Sequence, residues 1–309
     1  MGKFEAVRHK ERDLLGTRDR HSTDSDQNEG VRAVFTQVSG AFVRAFLIMV
    51  LLATPSLLLP GVTTDTTQVV ALVALFAAAL TFFEYASDYP GLVEFRFAAP
   101  FNRIRYLSLF FTVFLLAVIC RGAYQPTVAT ELVSAVGALI GKAMDFPYSP
   151  VRLVTLMLPE GSSAEHVALV RTVAGMSYLI SLVSLAVFAI MMRIFGWPSR
   201  AQAFNVWVNL PTFDPTAGGD VVERLDRDAR FNIALGFLLP FLIPAVVKLA
   251  ASTFQPVTLE SPQTLIWTIA AWAFLPASLF MRGIAMGRIA QMIRDKRRER
   301  EGAGAFIPA

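Results

Sequence analysis

The 309-residue chain has one cysteine, three histidines and few charges for its length, with Asp, Glu, Lys and Arg together making 17% of it. Each shortage excludes something. A single thiol, Cys120, permits neither an intrachain disulfide nor a multi-cysteine metal cluster. The histidines are His9, His21 and His166, and none lies inside an apolar run. An intramembrane bis-histidine haem pair and a Ser–His dyad within a span therefore lack their imidazoles. H-E-x-x-H and the phosphate loop G-x-x-x-x-G-K-[ST] are absent, as are the N-D-x-x-D of prenyltransferases and the D-G-x-x-A-R of lipid phosphotransferases. Residues 1–39 contain no apolar stretch of the length a signal peptide needs, so the expectation is an uncleaved first span acting as signal anchor. Ala6 stands where a myristoylation site wants Ser or Thr.

What is present is apolar. Hydrophobic residues make up 54% of the chain, and mean hydropathy is +0.52. The excess falls in blocks of about 17–25 residues, the length that a hydrocarbon layer of about 30 Å requires. Six such blocks occur, at about 41–59, 67–84, 105–121, 167–192, 232–250 and 263–286. The expected fold is all-α: a polytopic membrane protein with a six-span helical bundle. A polar, partly disordered tail (1–39) precedes the membrane domain (40–287), and a basic tail (288–309) follows it.

The basic residues orient the spans. Segments 1–39, 85–105, 193–231 and 288–309 hold 21 Lys and Arg; segments 60–66, 121–166 and 251–262 hold three. Cytoplasmic loops carry the excess of Lys and Arg, so both termini are expected in the cytoplasm. Arg supplies 23 of the 28 basic residues, which fits a GC-rich bacterial genome and hence a bacterial inner membrane. The stretch 128–144 has helical spacing of Leu132, Val136, Leu139 and Ile140, but Glu131 and Lys142 leave too short an uncharged run to cross. It reads as an outer amphipathic helix at the surface or dipping partway in. Within it Gly137-x-x-x-Gly141 offers a surface for close helix approach.

Ionisable residues at mid-membrane would point to function. None is found: Arg44, Glu84, Arg171, Lys248 and Arg282 all lie near span ends, where long side chains reach headgroups or water. Arg171 stands out because Glu165 and His166 are close in sequence. Ser177, Ser181 and Ser184 fall on one face of the fourth span, either a packing seam or the wall of a solute path. Pro240 and Pro244 punctuate the fifth span, either a kink absorbed by packing or a broken helix lining a cavity. Together these six form the candidate solute path or helix seam.

The inner loop 193–231 interleaves Trp197, Phe204, Trp207 and Phe213 with polar residues, and reads as an interfacial segment or a partner-docking surface. Its five acids between 214 and 228 raise a divalent-metal site, but a helix capped by Asp220, with Glu223–Arg227 and Asp226–Arg230 pairs, is the simpler account. The loop 84–105 pairs Glu84, Asp88 and Glu94 with Arg96, Arg103 and Arg105, a network expected to fix the second and third spans. The run after 286 is expected to lie along an anionic leaflet.

No catalytic residue, cofactor or metal ligand is identified. The expected partners are the bilayer, including anionic lipid at the inner face, and another membrane protein, not nucleic acid. A non-enzymatic accessory, scaffold or assembly component of a membrane complex is the leading expectation. A transporter or channel for a neutral or organic solute is the alternative, and a metal-dependent lipid-modifying enzyme a further one.

Overall fold

A computed structural model describes residues 32, 35–87, 91–96, 100–194, 196–197, 209–211, 213–214, 218–251 and 259–304. Among these are eight helices: α1 Phe35–Leu58, α2 Thr64–Ala86, α3 Phe101–Gly122, α4 Val128–Met144, α5 Pro150–Leu156, α6 Ala164–Ile194, α7 Val221–Ala251 and α8 Pro262–Gly304. Six of them are long and apolar enough to cross a bilayer, and the protein is an integral, multi-pass membrane protein with an all-α fold. Six crossings return the two ends of the described chain to one side, which we call the terminal face.

The helices overrun the apolar blocks because hydrogen bonding continues where the side chains turn polar. The 43 residues of α8 extend to about 65 Å at 1.5 Å per residue, roughly twice the hydrocarbon thickness. Its last turns therefore stand beyond the apolar layer. The acidic run after Asp220 joins α7 as its first turns, with Asp220 Oδ1 accepting from the Val222 N–H at 3.0 Å. Thr63 and Ser149 cap α2 and α5 in the same way, and Thr127 with Thr130 forms a reciprocal capping box on α4.

Helix α6 is the hub, touching α3, α4, α5 and α8. Helices α7 and α8 form the most extensive pair. Gly236 and Gly283 explain how they approach: a Cβ on either would stand 2.7 Å from a backbone oxygen, that of Pro276 or Ala229 respectively. Helix α4 crosses α6 backbone to backbone. A Cβ on Gly175 would lie 2.5 Å from Gly141 Cα, and one on Gly141 would lie 2.8 Å from Arg171 O. The small-xxx-small spacing of α4 thus places it against α3 and α6, while Val128, Leu132, Val136 and Leu139 stay exposed on its other side.

Helix α1 joins the main apolar cluster through Leu51, and Leu59 just past its end joins it too. Gln263 Nε2 donates to Ser56 Oγ at 3.0 Å, and Tyr106 Oη to Leu47 O at 2.9 Å. Helix α2 is peripheral. Only 11% of its most apolar window is buried, against 50% for α8. Ala74 and Ala78 are its buried residues, and Gln37 Nε2 ties the end of the helix to α1 by donating to Ala86 O.

Candidate functional site

The three seam serines on α6 are all buried. Ser177 Oγ donates to Val173 O at 2.6 Å, Ser181 Oγ to Ala273 O of α8 at 3.0 Å, and Ser184 Oγ to Ser181 O at 2.9 Å. Ser108 Oγ of α3 donates to Ser184 Oγ at 3.1 Å. The hydroxyls thus stitch α3, α6 and α8 together, and each has an acceptor within the protein.

Pro240 and Pro244 are buried in an unbroken α7. Proline has no N–H, so Pro244 leaves the carbonyl four residues back, that of Pro240, without its helical partner. Trp272 Nε1 of α8 donates to that oxygen at 3.0 Å. The indole also stacks on Tyr178 of α6, with ring centroids 5.8 Å apart. One tryptophan satisfies the freed carbonyl and joins three spans.

Of the charged residues near span ends, Arg44, Glu84, Arg171 and Arg282 meet partners within the protein, whereas Lys248 is exposed. Arg171 pairs with Asp145 at 3.4 Å, and Arg152 reaches the same carboxylate at 3.3 Å. The nearby Glu165 and His166, suggested by sequence proximity, are not the source of that pairing. Asp145 follows the last residue of α4, and the α4–α6 crossing brings it to Arg171.

At the terminal face the α2–α3 connection folds back under the bundle. Glu84 Oε1 accepts from the Leu92 and Val93 amides at 2.7 and 2.8 Å. Arg96 is buried and donates to the carbonyls of Glu84 and Ser87. Between Glu94 and Arg96, Phe95 is fully buried at φ 54°, a conformation that costs a bulky side chain of order 1–3 kcal/mol. Its amide donates to Asn209 O at 2.7 Å and its ring packs on Phe101 and Trp197. This fixed turn allows Glu94 to accept both Nε and Nη2 of Arg282 in α8, at 2.6 and 2.8 Å. Arg105 lies over the Phe101 and Phe274 rings, and Arg44 over Tyr85 at 4.6 Å. Beyond the expected link between spans two and three, this loop also reaches α8.

Trp197 and Phe213 are buried in a second apolar cluster with Phe95, Phe101, Phe188 and Met286. Both side chains are covered by the chain itself, so neither offers a free ring to headgroups or a partner. Phe204 and Trp207 lie outside the described residues, as does Asp88.

Beyond the apolar layer, α7 and α8 run on as a charged pair. Asp226 pairs with Arg294, and Asp220 receives Nη1 and Nη2 of Arg297 at 3.0 and 2.9 Å. Arg227 lies 3.6 Å from Asp228. The expected Glu223–Arg227 and Asp226–Arg230 pairs give way to these, because α8 brings arginines closer than the next turn of α7 does. Arg297 holds the Asp220 carboxyl below the ordinary carboxylate range, helped by the Val222 amide. A cleft of about 620 Å³ opens along these turns of α7 and includes Asp220, Glu223 and Asp226. Among the described residues, no three His, Cys, Asp or Glu side chains converge as metal ligands.

Compared with known proteins, the chain matches no family model, no curated protein and no solved structure.

Proposed function

We propose that the protein is a non-enzymatic accessory or scaffold component of a membrane complex, with the α1–α2 flank as its contact surface. The observation that carries this reading is the contrast between α6 and α2. The in-span polar groups of α6 are bonded within the bundle, while α2 exposes Val69, Leu72, Val73, Phe76, Leu80 and Phe83. A helix attached along one alanine-lined edge leaves most of its circumference to whatever lies beside it, and van der Waals packing drives helix association in lipid. The proposal places the protein in the inner membrane of a bacterium with both termini cytoplasmic, supported by the 21-to-3 distribution of Lys and Arg. Its partners are the bilayer, anionic lipid included, and another membrane protein.

Photo-crosslinking tests the reading. A photoreactive residue in place of Phe76, in cells, gives one discrete protein adduct of constant mass, and the same residue in place of Leu238 on α7 gives lipid adducts. Lipid adducts alone at both positions overturn it.

A further inference from the structure

We propose that the groove between α7 and α8 at the terminal face binds one anionic phospholipid, its phosphate on Arg230 and an acyl chain over Ile233 and Ile284. The groove, about 360 Å³, is lined among others by Asp226, Arg230, Ile233, Ile284 and Gly287. It shares Asp226 and Arg230 with the larger cleft on the first turns of α7. Its position suits a lipid. On α7 the sequence passes from charged to apolar at Arg230-Phe231, and on α8 it passes from apolar to basic at Gly287-Arg288. The groove therefore straddles the level where headgroup gives way to hydrocarbon.

Charge selects an anion. Two of the four acids of these turns are held by the facing helix, Asp226 by Arg294 and Asp220 by Arg297, and Glu223 is exposed. Asp228 lies against Arg227. Arg230 is exposed at the lip and has no carboxylate partner among the described residues. Over 220–230 and 294–297 six basic residues (224, 227, 230, 294, 296 and 297) stand against five acids (220, 223, 226, 228 and 295), and Arg230 is the one at the membrane end. A guanidinium there accepts a phosphate through paired N–H donors. Beside it the floor is small and apolar. A Cβ on Gly287 would meet only Ala229 Cβ at 3.7 Å, ordinary contact, so the space above this glycine is open.

The full-length protein is reconstituted in nanodiscs of equimolar phosphatidylglycerol and phosphatidylcholine, and retained lipids are counted by native mass spectrometry. The unmodified protein retains phosphatidylglycerol selectively. Arg230→Gln lowers that retention about fivefold, the factor corresponding to about 1 kcal/mol per arginine at an anionic surface. Gly287→Leu fills the groove and lowers retention of the bound lipid, and Arg300→Gln, further along α8, leaves it unchanged. Phosphatidylglycerol with a photoreactive acyl chain labels Ile233 or Ile284 in the unmodified protein, a readout that needs no variant to fold. Equal retention of the two lipids, no loss in Arg230→Gln, labelling elsewhere only, or displacement by inorganic phosphate alone each overturns the proposal.

Discussion

Around Leu116, Val173 and Ile269 the polar groups inside the bundle are hydroxyls and an indole; around Phe101, Phe188 and Met286 they are guanidinium groups and carboxylates. Depth accounts for the difference. In hydrocarbon an ion loses its hydration, and even the lowest estimates put that cost at a few kcal/mol. A serine hydroxyl loses far less and finds an acceptor in its own helix or the next. At the boundary, water and headgroups reduce the cost of charge, and paired ions hold elements that small hydroxyls cannot reach. The α2–α3 loop docks under α8 through Glu94 and Arg282 because that joint lies where ions are tolerated. The Asp145, Arg152 and Arg171 cluster does the same at the opposite end. The interior is thus zoned by polarity.

The largest expected effect lies in the neutral zone. Gly175→Val places a side chain against the α4 backbone and costs about 3 kcal/mol, as overpacking of a tight contact does; unfolding in a graded detergent titration measures it. If Gly175→Val is tolerated, α4 is not held by that crossing. Next comes the charged zone. Glu94→Gln leaves Arg282 half-buried without its bidentate partner and costs about 2–3 kcal/mol in the same titration. Trp272→Phe leaves the Pro240 carbonyl unsatisfied and costs about 1–2 kcal/mol. Adding Pro244→Ala, which restores the helical N–H, recovers part of that loss; no recovery would break the link between indole and proline. Cysteine at Ser177, Ser181 or Ser184 resists water-soluble maleimide, as does the buried Cys120, whereas labelling at any of the three would revive a solute path through α6.

The smallest effect is at the exposed end of the α7–α8 pair. Arg297 depresses the Asp220 carboxyl below its ordinary value of 3.8. The ion pair's contribution is therefore complete above that value and is lost as pH falls through the lower folded-state value. Spin labels at Glu223 and Arg298 are expected to hold one distance distribution at neutral pH and to broaden once the pH falls well below the ordinary carboxylate range, and Asp220→Asn is expected to show the broad distribution at both.

Much of the fold is legible in the chain. The six apolar blocks coincide with six spans, and the helix over 128–144 is present with those bounds. The site was less legible, for a physical reason. Local spacing favours partners one helical turn away, which pairs Arg230 with Asp226 and Glu165 with Arg171. The bundle instead supplies Arg294 and Asp145, which are 68 and 26 residues distant. Aromatic spacing likewise cannot separate a ring at the membrane rim from one folded under the bundle, where Trp197 and Phe213 lie.

Hydropathy and length alone determined that this chain has six helices able to cross a bilayer, because a backbone in lipid must satisfy its own hydrogen bonds and an apolar helix of that length does so within one segment. Which helix touches which is decided by tertiary packing. Glycine contacts at Gly141, Gly175, Gly236 and Gly283 bring particular backbones together. Only then do the freed Pro240 carbonyl, the α6 hydroxyls and the boundary arginines meet their partners. Those partners lie on other helices, and no local pattern in the sequence carries the distance between them.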